Sequence, residues 1–168
     1  MSEMPSPRWG ALVRFLAVAV GVALADQLLK LAVVNHMALG ESRRAFGSLL
    51  SFTRQSNTGA AFGMFSWASA ALAVAGGLVV LLLIGWAVRS AHVQRDLVWP
   101  LALILGGALG NLSDRLFRGQ VVDFLDIHFW PVFNLADVAL TCGVIWFGLR
   151  LLLATESEPE PAAPGEER

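Results

Sequence analysis

The chain has 168 residues, 56% of them hydrophobic and only 15% charged. That is too little charge for a water-soluble domain of this size and natural for an integral membrane protein. A net charge of −1 gives no reason to expect nucleic acid or another polyanion as partner. The single cysteine, Cys142, excludes an intrachain disulfide, and its place in an apolar run predicts a small buried hydrophobe.

A helix needs roughly 20 apolar residues to cross the hydrocarbon core of a bilayer, and four stretches qualify. The first, about 11–34, is interrupted by Asp26, Gln27 and Lys30. Arg8 and Arg14 before it, and Ala23-Leu24-Ala25 ahead of Asp26, carry marks of a cleavable signal peptide. Apolar residues nevertheless continue to Val34 and three further spans follow, so a retained helix is expected. Asp26 and Lys30 stand four apart with the acid first, the favourable order for a helical ion pair. The pair either neutralises itself, with the lysine reaching to the interface, or lets Asp26 buttress a site through hydrogen bonds.

The longest connection follows, about 36–66. Leu50-Ser51-Phe52-Thr53 alternates apolar and polar with strand-like period, bounded by Gly47 and by Asn57-Thr58-Gly59. This predicts a small sheet or hairpin lying on the membrane, with a structured loop as the alternative. Asn57-Thr58-Gly59-Ala60-Ala61-Phe62-Gly63 then opens the second span, about 67–88. Its amide donates and accepts, and the small residues after it permit close backbone approach. A short polar connection, Arg89 to Asp96, leads to the third span, about 97–113.

The third span ends on Gly106-Gly107-Ala108-Leu109-Gly110-Asn111. Its G-x-x-x-G pair predicts helix contact more than ligand binding. Asn111, Asp114 and Arg115 share a helical face if the helix continues. Arg115 offers a rigid donor fork suited to carbonyl or phosphate oxygens, unless it simply pairs with Asp114. The fourth span, about 132–153, carries Asn134 and Asp137 near its start and Arg150 near its end. Trp67, Trp86, Trp99, Trp130 and Trp146 fall at or near segment ends, as an interfacial aromatic belt requires. Residues 156–168 form an acidic, proline-rich tail expected to be disordered. The expectation is one membrane-embedded domain over 1–155. It is an all-α integral membrane protein, a four-transmembrane-helix bundle with a small β-rich subdomain.

Basic residues divide evenly between the two sides, so charge bias does not orient the chain. Alternation of the spans does bring Asp26 and Lys30, Asn57, Asn111, Asp114 and Arg115, and Asn134 and Asp137 to the same face. Asp123 lies in the loop between the last two groups. Carboxylates at the edge of a membrane segment are costly and point to function. Asp123 and Asp137 admit three readings. They are independent interfacial acids, with Asp137 favoured by the helix dipole; or Asp123 joins Asp126 and His128 around a metal; or they form a dyad. In a dyad one carboxyl keeps its proton while the other stays charged and draws a proton from water.

Five motifs in chain order resemble the bacterial lipoprotein signal peptidases, or type II signal peptidases. They are Asp26-Gln27-x-x-Lys30, Asn57-Thr58-Gly59-Ala60-Ala61-Phe62, Gly110-Asn111-Leu112-Ser113-Asp114-Arg115, Val121-Val122-Asp123-Phe124 and Phe133-Asn134-Leu135-Ala136-Asp137. The resemblance spans nearly the whole chain. It implies a multi-pass inner-membrane aspartyl endopeptidase with cytoplasmic termini, an extracytoplasmic β-rich subdomain and a site at the outer face. Such an enzyme removes the signal peptide of diacylglyceryl-modified prolipoproteins just before the lipidated cysteine. The resemblance assigns catalysis to Asp123 and Asp137. It assigns supporting or substrate-contacting roles to Asp26, Asn57, Asn111, Arg115 and Asn134. Asp114 also belongs to the family signature and is a catalytic candidate on sequence grounds; we place it among the supporting residues, with Lys30 grouped there too. It also implies inhibition by globomycin-type cyclic peptides and no metal or organic cofactor. Contact with membrane lipids and a monomer are expected. The Asp123–Asp137 loop is shorter than in some relatives. The competing expectation is a non-enzymatic membrane binder or small proton-coupled transporter, whose acids would thread through the membrane depth.

Overall fold

The computed structural model describes residues 9–58, 66–89 and 95–155. In chain order its elements are α1 (Trp9–His36), β1 (Ser42–Phe46), β2 (Leu50–Asn57), α2 (Ser66–Arg89), α3 (Arg95–Arg118), β3 (Val121–Asp126) and α4 (Leu135–Thr155). All four helices are long and apolar enough to cross a membrane. The helix α1 runs unbroken through Ala23-Leu24-Ala25.

Helix α3 is the axis of the bundle. Within its spanning window 61% of residues are buried, against 11–17% in the other three helices, which turn most of their surface outward. Leu24, Leu28, Leu81, Leu82 and Leu152 are all exposed, as lipid-facing side chains must be. The core beneath them gathers Phe15, Ala19, Val98, Leu101, Ala102, Leu105 and Ala108.

Lipid tails are as apolar as leucine, so bundles hold together through close packing rather than through water exclusion. Glycines supply that closeness. A Cβ on Gly106 would lie 2.7 Å from the Ala19 carbonyl oxygen of α1. One on Gly107 would lie 2.8 Å from Leu140 Cγ, and one on Gly143 would lie 2.7 Å from the Pro100 carbonyl oxygen. The helices α1 and α4 are thereby drawn against α3 from two sides.

The three strands form one antiparallel sheet in the order β1-β2-β3. Gly47, with φ of 56°, turns β1 into β2. Gly119, with φ of 74°, ends α3 and releases the chain into β3, the left-handed position that glycine favours after a helix.

Several boundaries differ from the sequence reading. Helix α3 continues to Arg118, so Asn111, Asp114 and Arg115 all lie on it. Asn57 closes β2, paired with Val121, instead of opening a helix. Asp123 lies on strand β3, not in a loop. Helix α4 starts at Leu135, because Phe133 exchanges backbone hydrogen bonds with Leu125 and holds the preceding chain extended. Cys142 is exposed on α4; an apolar residue in a membrane helix faces lipid as readily as core. Gly59 to Gly63 and the 156–168 tail lie outside the described residues.

Candidate active site

Two layers of polar groups occupy one end of the bundle, where α1 and α3 finish and α4 begins. The inner layer is ionic. Asp26 and Lys30, one turn apart on α1, form an ion pair of 2.7 Å with no side-chain exposure. Lys30 Nζ also lies 2.8 Å from Asp114 on α3, itself fully buried. Asp114 pairs further with Arg118, one turn on, so its helical partner is Arg118 rather than the adjacent Arg115. Residues four apart share a helix face and sequence neighbours do not.

These two acids and two bases balance in charge, which burial demands. They also anchor backbone. Asp26 Oδ1 accepts the Ala136 N–H at 3.0 Å and Asp114 Oδ2 accepts the Val122 N–H at 3.1 Å. The first turn of α4 and the start of β3 are therefore both tied to the cluster. Gln27 Nε2 adds donations to Asp114 Oδ1 at 3.1 Å and to the Gly110 carbonyl at 3.0 Å.

The outer layer is built from side-chain amides. Asn111 Oδ1 accepts from Lys30 Nζ at 3.2 Å and from Asn134 Nδ2 at 3.1 Å, while its Nδ2 donates to Asp137 Oδ1 at 2.7 Å. Asn134 caps α4. Its Oδ1 accepts the Asp137 N–H at 3.0 Å and its own N–H donates to Asp137 Oδ2 at 3.2 Å, a reciprocal capping box. Asn134 Nδ2 then reaches Asp123 Oδ1 at 2.6 Å, and Asn57 Nδ2 donates to Asp123 Oδ2 at 2.9 Å.

Both carboxylates thus receive amide donors, and Asn134 serves the two together. Asp123 is only 2% exposed. Its burial pushes the carboxyl up from 3.8 to about 6, against the Asn57 hydrogen bond; the nearby Asp137 charge adds to the rise, and Asn134 and Lys30 oppose it. Arg115 donates Nη1 to the Asn111 carbonyl at 3.3 Å, and its buried Nε has no hydrogen-bond partner. Its charge acts on Asp137, Asp123 and Asp114 alike.

All nine residues singled out in the sequence, Asp26, Lys30, Asn57, Asn111, Asp114, Arg115, Asp123, Asn134 and Asp137, join one connected network. Arg118 was missed as a member, although its place four residues after Asp114 carries the helical ion-pair signal. Gln27 stands in the first motif but had no role assigned; nothing in the sequence aims its side chain at Asp114.

Asp126 and His128 belong elsewhere. Asp126 stands three positions after Asp123 on the strand, an odd offset that sends their side chains to opposite faces. Asp126 takes the His128 N–H at 2.8 Å and the Thr53 hydroxyl at 2.9 Å, and these hold its carboxyl below the usual range. The His128 ring meets Ser51 at 3.3 Å. Among the described residues no three His, Cys, Asp or Glu side chains group as metal ligands. Within the spanning segments the acids are Asp26, Asp114 and Asp137. All three sit in this one network, so no chain of acids crosses the membrane depth.

Comparisons with known proteins identify the family. A family model described as signal peptidase (SPase) II matches residues 18–153. The lipoprotein signal peptidase of Burkholderia mallei (strain SAVP1) is 44% identical over 147 residues, covering 81% of this chain and 86% of that protein. The lipoprotein signal peptidase of Burkholderia multivorans is 42% identical over 153 residues, covering 84% and 89%. A solved structure described as a bacterial membrane enzyme superposes with a TM-score of 0.79 at 30% identity, covering 89% of this chain and 94% of that one. A second, described in the same words, gives 0.76 at 32% identity, covering 82% and 92%.

Proposed function

The chain belongs to the signal peptidase II family and is a membrane lipoprotein signal peptidase, and we propose that Asp123 and Asp137 form its catalytic dyad. The observation that carries this reading is the shared Asn134. One side chain and its backbone bind both carboxylates, at a place where burial lets Asp123 keep a proton up to about pH 6. With the proton placed on Asp123, Asp137 is assigned as the base of the pair, its two oxygens accepting N–H groups from Asn111 and Asn134.

The chemistry follows from that division. Asp137 takes a proton from a water molecule as its oxygen attacks the scissile carbonyl carbon. Asp123 gives its proton to the carbonyl oxygen, so that no free oxyanion develops. When the tetrahedral intermediate collapses, the C–N bond breaks. Asp137 delivers its proton to the leaving amine and Asp123 recovers its own from the hydroxyl. The scissile amide is the one just before the diacylglyceryl-modified cysteine of a prolipoprotein. Asn57, Asn111, Arg115 and Asn134 hold the dyad and the substrate backbone. Asp114 is a supporting residue, since the cation cluster and a backbone N–H occupy both its oxygens. No metal or organic cofactor enters this chemistry.

The same reading puts the chain in the bacterial inner membrane as a monomer with both termini in the cytoplasm. The sheet and dyad lie at the outer face, membrane lipids surround the bundle, and 1–155 act as one domain. Globomycin-type cyclic peptides would occupy the substrate site. The test is purified protein in lipid with a diacylglyceryl-modified prolipoprotein peptide. Asp123→Asn and Asp137→Asn are each expected to abolish cleavage while leaving the fold intact. Cleavage persisting in both removes the dyad.

A further inference from the structure

Within the buried cluster, Lys30 has a position that charge balance alone does not require. Its ammonium satisfies Asp26 and Asp114, and it also reaches Asn111 Oδ1 at 3.2 Å. An ammonium only donates. Any amide facing it must present oxygen, and the same amide then presents its NH₂ on the other side. For Asn111 the other side is Asp137 Oδ1, at 2.7 Å.

We propose that Lys30 is a positioning residue of the peptidase, fixing the Asn111 amide so that Asp137 is the carboxylate that ionises and acts as base. The inference rests on the dyad reading above and deepens it. Burial already favours the proton on Asp123, and a cation placed behind Asn111 reinforces that order, because Asn111 donates to Asp137 and not to Asp123.

The charged and titratable groups facing this relay are Asp26 from α1, Asp114, Arg115 and Arg118 from α3, Asp123 from β3 and Asp137 from α4. With Lys30 gone, only Asn134 Nδ2 still holds the Asn111 oxygen, and the uncompensated Asp26 and Asp114 compete with Asp137 for its NH₂ and draw it inward. The amide oxygen then faces Asp137, which favours the protonated acid. The base is disabled without being touched.

The experiment measures pH profiles of kcat/KM for Lys30→Met, Asn111→Leu and the double variant, using the diacylglyceryl-modified prolipoprotein peptide. Because Lys30→Met leaves two buried acids against one base, the set is repeated with Asp26→Asn, which restores neutrality and can still accept the Ala136 N–H. Expected is a fall in kcat of about 10²-fold, the scale of a mispositioned general base, with KM changed much less. The acid limb of the profile should move to higher pH, the direction in which loss of a donor to a carboxylate acts. The double variant should be no worse than either single, since both act through one hydrogen bond.

A merely structural lysine gives another pattern. The charge-balanced Asp26→Asn/Lys30→Met protein would then recover wild-type kcat and an unmoved acid limb, or the Lys30 and Asn111 losses would multiply. Either result overturns the assignment. The dyad reading fails separately, through cleavage that survives in both Asp123→Asn and Asp137→Asn.

Discussion

The buried carboxyl of Asp123 makes a prediction about stability that is independent of catalysis. Its folded-state value is raised from 3.8 to about 6, so the folded protein holds a proton that the unfolded chain has released. Wild-type stability therefore falls as pH rises from about 4 to about 6 and stays lower above that window. At roughly 1.4 kcal/mol per pH unit, the total is about 3 kcal/mol. Asp123→Asn removes the ionisation. It also sets an NH₂ against one of the two donors, Asn57 Nδ2 or Asn134 Nδ2, that the carboxylate accepts, at a cost of about 1–2 kcal/mol. The Asp123→Asn variant should thus be less stable than wild type by about 1–2 kcal/mol at pH 3.5. At pH 7.5 it should be more stable by about 1–2 kcal/mol. Reversible unfolding in mixed micelles, titrated with a denaturing detergent at several pH values, reads the difference directly. Other acids titrate in both proteins and cancel in the difference. A gap that stays constant within about 0.5 kcal/mol across that range would refute the claim that burial raises the Asp123 carboxyl to about 6.

Other consequences are open to measurement. If Asp123 and Asp137 act as the proposed dyad, the wild-type kcat/KM profile should be bell-shaped, its basic limb falling within about a unit of pH 6 as Asp123 loses its proton; a flat profile from pH 5 to 8 would argue against acid catalysis by Asp123. Gly107→Ala drives a methyl into Leu140 and the Ala136 carbonyl at the first turn of α4, with an expected destabilisation of about 1–3 kcal/mol. It should also lower kcat by displacing Asp137, whereas Gly77→Ala, which meets nothing within 4 Å, should leave both unchanged. For Asp114→Asn, cleavage should be impaired but measurable, and complete loss in a folded protein would move Asp114 into the dyad. Prolonged chelation should leave kcat/KM unaltered; a loss restored by added zinc would revive a metal mechanism.

The spans were legible because lipid imposes a rule no sequence evades: about twenty apolar residues per crossing. The site was legible for the converse reason, since Asp26, Lys30, Asn111, Asp114 and Asp137 violate that rule at one end of the bundle. Strand β3 was not. Val121-Val122-Asp123-Phe124 is buried throughout, so the strand lacks the alternation that marked β2, and a buried aspartate within it reads as loop. The start of α4 was misplaced for a related reason, because Phe133 is apolar yet held extended by β3. The capping pattern Asn134-x-x-Asp137 does mark the true boundary. Cys142 shows the limit of carrying globular intuition into lipid, where apolar no longer means interior.

Asn134 joins two parts of the fold that could otherwise drift independently, a sheet strand and a membrane helix. Its backbone nitrogen serves one carboxylate and its side-chain nitrogen the other. The two contact points are separated only by the covalent bonds of a single residue. The gap between the acids is thus gauged by a fixed molecular length instead of by how tightly four helices happen to be squeezed. A bilayer that thickens, thins or changes lateral pressure works on the helix packing, while that gauge travels with the acids it spaces.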